Sequence, residues 1–314
     1  MKPGRRTAAR PGWPSRTSPR TGRPGLDRHP VTHAEHVMGT VVSFAVLPAL
    51  SQPDPGAAIR AACALLHEAD AVFSTWDPDS PLSRLRRGET SERDGPPSLA
   101  DVRAACQAAR EASDGWFDPW AMPGGYDPTG LVKGWAVDRA LDALRQAGLP
   151  AALVNGGGDL AAFGGPAPGE PWRAGIRHPW RPDALAAVLE VHGAVATSGN
   201  YERGAHLVDP HTGRPACRAA SATVTGPSLA LADALATALA VGGDAALAAV
   251  AGRPGYAGYL IRPDGTETWT GGIQFAAPGS APGQGADPAL GPAPGPDAAR
   301  GSAGNTRAGP PRPE

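Results

Sequence analysis

The chain has 314 residues, 29 Lys and Arg against 30 Asp and Glu, and three cysteines. No apolar run is long enough to span a membrane, and no basic face interleaved with aromatic side chains indicates nucleic-acid binding. An odd number of widely spaced cysteines indicates free thiols in a reducing compartment, so we expect a cytoplasmic protein.

Both ends of the chain differ in composition from the middle. Residues 1–30 hold eight Lys or Arg against one acidic residue, and residues 276–314 are rich in Pro, Gly, Ala and Ser. Segments with so few aliphatic side chains cannot bury enough apolar surface to offset the entropy of ordering. We therefore expect a disordered basic leader over residues 1–30, one folded domain over residues 31–275, and a disordered tail over residues 276–314.

Hydrophobic periodicity predicts one strand and three helices in the first half of this domain. The strand covers residues 36–47, is rich in valine, and is entered through the tight turn Met38-Gly39-Thr40. The helices are predicted over residues 57–73, 98–113 and 133–147, with Ser98 as the N-cap of the second helix.

Strands dominate the second half of the domain. A helix around Asp233 and a shorter helix over residues 244–251 are expected among them. Because strands and helices do not alternate strictly, we expect an α+β fold of mixed or antiparallel sheets with packed helices. The predicted strands cover residues 151–154, 160–163, 172–176, 187–191, 195–198, 220–225, 258–261 and 266–269.

The helix around Asp233 carries two polar side chains, Asp233 and Thr237, within a run of alanine and leucine. Their spacing places two oxygen ligands one turn apart on the same face. A buried carboxylate needs a partner, and divalent cations such as Mg²⁺ prefer oxygen ligands. In the alternative interpretation, Thr237 bonds to a carbonyl of the preceding turn and Asp233 faces solvent near the helix start. These two residues alone leave both interpretations open.

Other polar and small residues are grouped along the chain, and each group alone has a structural explanation. Gly-Thr and Asp-Pro pairs make turns, Lys133 suits an exposed surface, and His206 suits a hydrogen-bonded position in the core. Together with the Asp233 helix, the groups follow one another as Met38-Gly39-Thr40, Phe73-Ser74-Thr75-Trp76, Gly115-Trp116-Phe117-Asp118-Pro119, Gly130-Leu131-Val132-Lys133, Asn155-Gly156-Gly157-Gly158-Asp159, Thr197-Ser198-Gly199-Asn200, His206-Leu207-Val208-Asp209-Pro210 and Asp233-Ala234-Leu235-Ala236-Thr237.

These motifs and their order resemble the FAD:protein FMN transferase family, also called the ApbE family, over the whole predicted domain. The resemblance implies a Mg²⁺-dependent enzyme that cleaves FAD and attaches FMN to a Thr or Ser hydroxyl of an acceptor flavoprotein. It implies metal binding by the side chains of Asp233 and Thr237 and by the carbonyl of Gly130. The positions that it implies for FAD binding are Met38, Trp76, Trp116, Phe117, Asp118, Asp127, Lys133 and Leu207.

His206 is our candidate general base, because the pKa of an unperturbed histidine lies near neutral pH. The chain departs from the family pattern in three places: the loop after Pro119 is short, Arg86 replaces a usual Asn, and Pro128 replaces a usual Leu.

Two other functions are compatible with the same residues. One is a Mg²⁺-dependent FAD pyrophosphatase that releases FMN and AMP, and the other is a protein that binds FAD without turning it over.

Overall fold

The computed structural model describes residues 29–48, 54–199 and 207–276. The predicted leader over residues 1–30 and the predicted tail over residues 276–314 lie almost wholly outside these ranges. His206 also lies outside them. The described strands are β1 (Val31–Val37), β2 (Thr40–Leu47), β3 (Ala151–Gly156), β4 (Asp159–Phe163), β5 (Trp172–His178), β6 (Arg181–Val191), β7 (Ala194–Ser198), β8 (Val208–Asp209), β9 (Arg214–Pro215), β10 (Ser221–Gly226), β11 (Ala257–Ile261) and β12 (Glu267–Trp269).

Eight of these strands form one sheet in the order β1-β2-β3-β4-β7-β10-β11-β12. Every neighbouring pair in it is antiparallel. β5 and β6 form a separate hairpin, and β8 pairs with β9. The prediction of an α+β fold with antiparallel sheets is confirmed.

Six α-helices accompany the strands in the described ranges. Side chains cap three of them: Asp54 for the first helix, Ser80 for the second and Ser228 for the fifth. Along the chain the helices are α1 (Pro55–Phe73), α2 (Pro81–Arg86), α3 (Pro97–Ala112), α4 (Thr129–Gln146), α5 (Leu229–Gly242) and α6 (Asp244–Ala251).

The prediction that Ser98 is an N-cap is wrong. The helix α3 begins at Pro97, so Ser98 lies inside its first turn and Pro96 occupies the cap position. The ring of Pro97 fixes a helical φ and carries no N–H, so this helix start needs one acceptor fewer.

The sheet separates two layers of apolar side chains. Phe44 and Val46 of β2 face a core formed with α1, α4, α5 and α6. Ala45 and Leu47 face the opposite side, where the β5–β6 hairpin covers the sheet with Trp172, among others. This alternation follows from the two-residue period of a strand. The sheet is thus buried between a helical layer and a hairpin.

Helix α5 lies in the interior along almost its whole length. All of its residues except Leu231 and Thr237 are buried, as expected for a helix that is apolar all round. The side chain of Asp233 belongs to this buried set, with the residue only 7% exposed. The interpretation in which Asp233 faces solvent is therefore wrong.

Two residues of α4 bring α4 and α5 close together. Gly134 has no side chain, and a Cβ atom there would lie only 2.7 Å from the carbonyl oxygen of Leu229. One turn further on, the carboxylate of Asp138 accepts hydrogen bonds from Ser228 Oγ and from the backbone N–H groups of Leu229 and Ala230, at 2.8 to 2.9 Å. Asp138 therefore helps to cap α5 from a neighbouring helix.

No helix in the described ranges is long and apolar enough to cross a membrane.

Candidate active site

A cavity of about 400 Å³ opens between α4, α5 and the loops at one end of the sheet. Its walls bring together nine of the twelve residues predicted for the site, which come from distant parts of the sequence. These nine are Trp116, Phe117, Asp118, Asp127, Gly130, Lys133, Leu207, Asp233 and Thr237.

An ion cluster that joins three elements lies on the cavity wall. Lys133 of α4 donates from Nζ to Asp233 Oδ2 of α5 at 3.0 Å, and also to Asp159 Oδ2 at the start of β4. Burial lowers the pKa of Lys133, but the two carboxylates outweigh burial and hold this pKa above its usual range. Lys133 is therefore a fixed positive charge at neutral pH.

The end of β7 and the middle of α5 add hydroxyl groups to the same wall. The backbone N–H of Thr197 donates to Asp159 Oδ1 at 2.9 Å, which fixes the carboxylate that Lys133 also contacts. Ser198 Oγ lies 3.4 Å from Thr237 Oγ1, one helical turn beyond Asp233. The cavity thus presents carboxylate and hydroxyl oxygens side by side.

The donor set of this wall fits a hard divalent cation. The carboxylate of Asp233, the hydroxyl of Thr237 and the carbonyl of Gly130 all belong to residues that line the cavity. Oxygen ligands of these three kinds suit Mg²⁺, which usually keeps several waters and binds few protein groups. The three predicted metal-ligating residues therefore all line the same cavity.

Two aromatic residues form an apolar part of the wall. Phe117 is buried, and its ring lies so close to Gly130 that an added Cβ there would meet Phe117 Cε2 at 3.1 Å. The Trp116 ring contacts the His211 ring, with centroids 4.5 Å apart, and the guanidinium of Arg218 lies 5.1 Å from its centroid. Such fixed rings can stack on a planar ligand.

Asp118 and Asp127 are both held by arginines. Arg110 Nε lies 2.8 Å from Asp118 Oδ2, and Arg86 Nη1 lies 3.5 Å from Asp127 Oδ2. Asp127 also accepts from the N–H and hydroxyl of Thr129, at the first turn of α4. Both carboxylates are thereby positioned on the rim before any ligand arrives.

Three of the twelve predicted residues are not among the described residues of this wall. Trp76 is 95% exposed, and Met38 occupies the β1–β2 turn with φ of 52°. His206 lies outside the described residues. Its neighbour Leu207 does line the cavity.

The sequence model of the ApbE family matches residues 38–124 and 125–260, which is well over half of the chain. The chain belongs to the ApbE family.

Individual relatives of the ApbE family match shorter stretches. An FAD:protein FMN transferase of Salmonella typhimurium is 35% identical over 156 residues, which are 46% of this chain and 45% of that protein. One from Rhodobacter capsulatus is 38% identical over 145 residues, 43% of this chain and 28% of that protein. The chain thus aligns with less than half the length of these relatives.

Solved ApbE structures share the fold over a longer span. Flavin transferase ApbE from Vibrio cholerae has a TM-score of 0.69 at 23% identity, covering 78% of this chain and 98% of that one. The apo form of Pseudomonas stutzeri flavinyl transferase ApbE has a TM-score of 0.66 at 24% identity, covering 78% and 95%. The predicted ApbE-like fold is confirmed.

Sequence reasoning assigned no role to Asp159, Thr197 or Ser198, although all three belong to motifs shared with the ApbE pattern. The sequence feature that could have indicated a role for Asp159 is its carboxylate directly after a cluster of three glycines. Lys133 also carried an unused signal: the chain has two lysines, Lys2 and Lys133, among 27 arginines. A lysine in such an arginine-rich chain indicates a site that requires a compact ammonium group.

Proposed function

We propose that this protein is a Mg²⁺-dependent FAD:protein FMN transferase that modifies a Thr or Ser hydroxyl of an acceptor flavoprotein. The observation that carries the proposal is the convergence of Lys133, Asp159, Asp233 and Thr237 on one cavity in a chain of the ApbE family. Phosphoryl-type transfer depends mainly on such positioning and charge neutralisation.

In the proposed reaction, the acceptor hydroxyl oxygen forms a bond to the FMN-side phosphorus of FAD. The bond from that phosphorus to the bridging oxygen breaks, and AMP leaves with the bridging oxygen. The hydroxyl proton goes to a general base, for which His206 stays our candidate. When bound, Mg²⁺ neutralises negative charge on the pyrophosphate.

The chain's own residues have distinct parts in this proposal. Asp233, Thr237 and the Gly130 carbonyl hold the metal ion. The ammonium of Lys133 orients Asp233 and adds a positive charge beside the pyrophosphate. Trp116 and Phe117 bind a planar ring of FAD on the apolar wall, since such rings present stacking faces.

Intact-mass spectrometry tests the proposal directly. The protein is incubated with FAD, Mg²⁺ and an acceptor domain, and a parallel sample uses the acceptor with its target Thr changed to Val. We expect only the Thr acceptor to gain the mass of one FMN moiety. Free FMN and AMP formed without acceptor would instead identify a pyrophosphatase, and FAD that stays bound and intact would identify a binding protein.

The variant Asp233→Ala should lose the Mg²⁺-dependent transfer. Asp142→Ala is a matched control, because the Asp142 side chain is 56% exposed and pairs only with Arg145 among the described residues. Full transfer by Asp233→Ala would exclude the metal-binding role of Asp233. We also propose a cytoplasmic location, because no disulfide joins Cys63, Cys106 and Cys217.

A further inference from the structure

A second group of side chains that can bind a metal ion lies between β1 and α1. His33 and Glu35 are two residues apart on β1, so they point to the same side of the strand. Cys63 and His67 are four residues apart on α1, so they share one helix face. None of the four is among the described residues that line the active-site cavity.

Glu35 is the centre of this cluster. His33 Nε2 lies 2.9 Å from Glu35 Oε2, and His67 Nε2 lies 2.9 Å from Glu35 Oε1. One ligand atom each from His33, Glu35 and Cys63 lies within 4.8 Å of the other two. In a tetrahedral Zn²⁺ site with bonds of about 2.0 Å to nitrogen and about 2.3 Å to sulfur, the ligand atoms lie about 3.5 Å apart. The side chains must therefore approach one another by up to about 1.3 Å to bind one ion.

Burial differs across the cluster in a way that suits metal binding. The Cys63 residue is buried at 7% exposure, whereas the side chains of His33 and His67 are 41% and 53% exposed. The thiol thus forms an inner wall, and the histidines leave a path from solvent. A cysteine thiol is ordinarily protonated at neutral pH, so an ion that binds Cys63 must displace its proton.

We propose that His33, Glu35 and Cys63 bind one transition-metal ion of the Zn²⁺ class, and that His67 positions Glu35 through its second oxygen. Nitrogen, sulfur and oxygen ligands together favour Zn²⁺ over Mg²⁺, which prefers oxygen alone. Binding forms a metal–sulfur bond and releases the thiol proton to solvent. These residues are separate from those of the proposed transferase site. The proposed Zn²⁺ site can therefore be tested independently of the transferase activity.

An ion in this position would link the edge strand to the helical layer. Among the described strands, β1 is the last on its side of the sheet and pairs with β2. Ligands from β1 and α1 are brought together only in the folded chain, so metal binding should stabilise the fold. At free Zn²⁺ about 100-fold above its Kd, we expect the melting temperature to rise by roughly 5 to 10 °C.

The test titrates the full-length protein with Zn²⁺ and, as a spectroscopic substitute, with Co²⁺. Excess Mg²⁺ occupies oxygen-ligand sites, and a non-thiol reductant keeps the cysteines reduced. We expect one tightly bound Zn²⁺ per chain and a thiolate-to-Co²⁺ charge-transfer band. Cys63→Ser should abolish the band, and His33→Gln and Glu35→Gln should each weaken Zn²⁺ binding at least about 100-fold.

His67→Gln separates the positioning role from direct ligation. It should weaken Zn²⁺ binding about tenfold and leave the charge-transfer band in place. Cys217→Ser and His192→Gln are matched controls outside the cluster and should bind Zn²⁺ like the parent. If Cys63→Ser fails to fold, the partly exposed His33 and Glu35 variants carry the test. Absence of the band in the parent, or equal losses in the controls, would overturn the site.

Discussion

Replacing Lys133 by Met should destabilise the fold by about 3 kcal/mol when no divalent cation is present. The Lys133 side chain is 20% exposed, and those of Asp159 and Asp233 are 10% exposed. Removing one partner of a buried ion pair typically costs about 3 to 5 kcal/mol, because the remaining charge stays buried. We take the lower end, since Lys133 keeps some solvent contact and Met preserves most of its apolar volume.

Thermal unfolding in EDTA at neutral pH measures this loss. For a domain of this size, each kcal/mol shifts the melting temperature by about 2 to 4 °C, so we expect a decrease of roughly 6 to 12 °C. Arg60→Met is the matched control, because its ion pair with Asp54 involves side chains that are 73% and 69% exposed. Breaking that pair should cost less than about 1 kcal/mol.

Mg²⁺ should restore stability to Lys133→Met, because a divalent ion bound at Asp233 supplies the positive charge that the substitution removes. A melting temperature within about 2 °C of the parent in EDTA at neutral pH would refute the reasoning.

Three other measurements test separate features. Gly134→Ala should cost about 1 to 2 kcal/mol in thermal unfolding, because its Cβ would meet the Leu229 carbonyl oxygen at 2.7 Å and overpacking exceeds the gain in helix propensity. Burial raises the pKa of Cys106 to about 12, so Cys106 should resist alkylation at about pH 8 until the protein unfolds. Labelling of Cys106 in the folded protein would contradict its burial. A hydrogen bond from Arg262 lowers the pKa of Asp244 in the folded protein. The stabilisation from this ion pair is therefore full above the unfolded-state pKa of Asp244 and is lost as the pH falls through the lower folded-state pKa. Asp244→Asn should reduce this acid sensitivity in pH-dependent melts.

Periodicity located the long helices well because their apolar stripes are strong. Helix α1 was predicted from residue 57 and begins at Pro55. Helix α4 was predicted from residue 133 but begins at Thr129, since Pro128 and Gly130 conceal its first turn. The six-residue helix α2 is too short to show a period, and it was not predicted.

The first strand of the sheet was missed for a different reason. β1 carries His33, Glu35 and His36, and five of its seven residues are exposed, so it lacks the apolar alternation of a buried strand. The predicted strand over residues 36–47 combined its end with β2. Positive φ values at Met38 and Gly39 separate the two strands.

The sequence predicted which residues line the cavity better than it predicted which of them contact one another. The spacing of Asp233 and Thr237 indicated a shared helix face, and both line the cavity. That Lys133 would contact Asp159 and Asp233, 26 and 100 residues away, depends on how α4, α5 and β4 pack. Local patterns do not contain this information.

The position of β2 in the sheet has a consequence for synthesis of the chain. β2 lies between β1 and β3, and Phe44 of β2 pairs opposite Val154 of β3. A two-stranded hairpin alone is at best marginally stable in water. At about 5 to 20 residues per second, the ribosome needs roughly 5 to 20 s to supply β3 after β2. During that interval the edge of β2 that pairs with β3 in the folded protein stays open, and an open strand edge favours pairing with other chains.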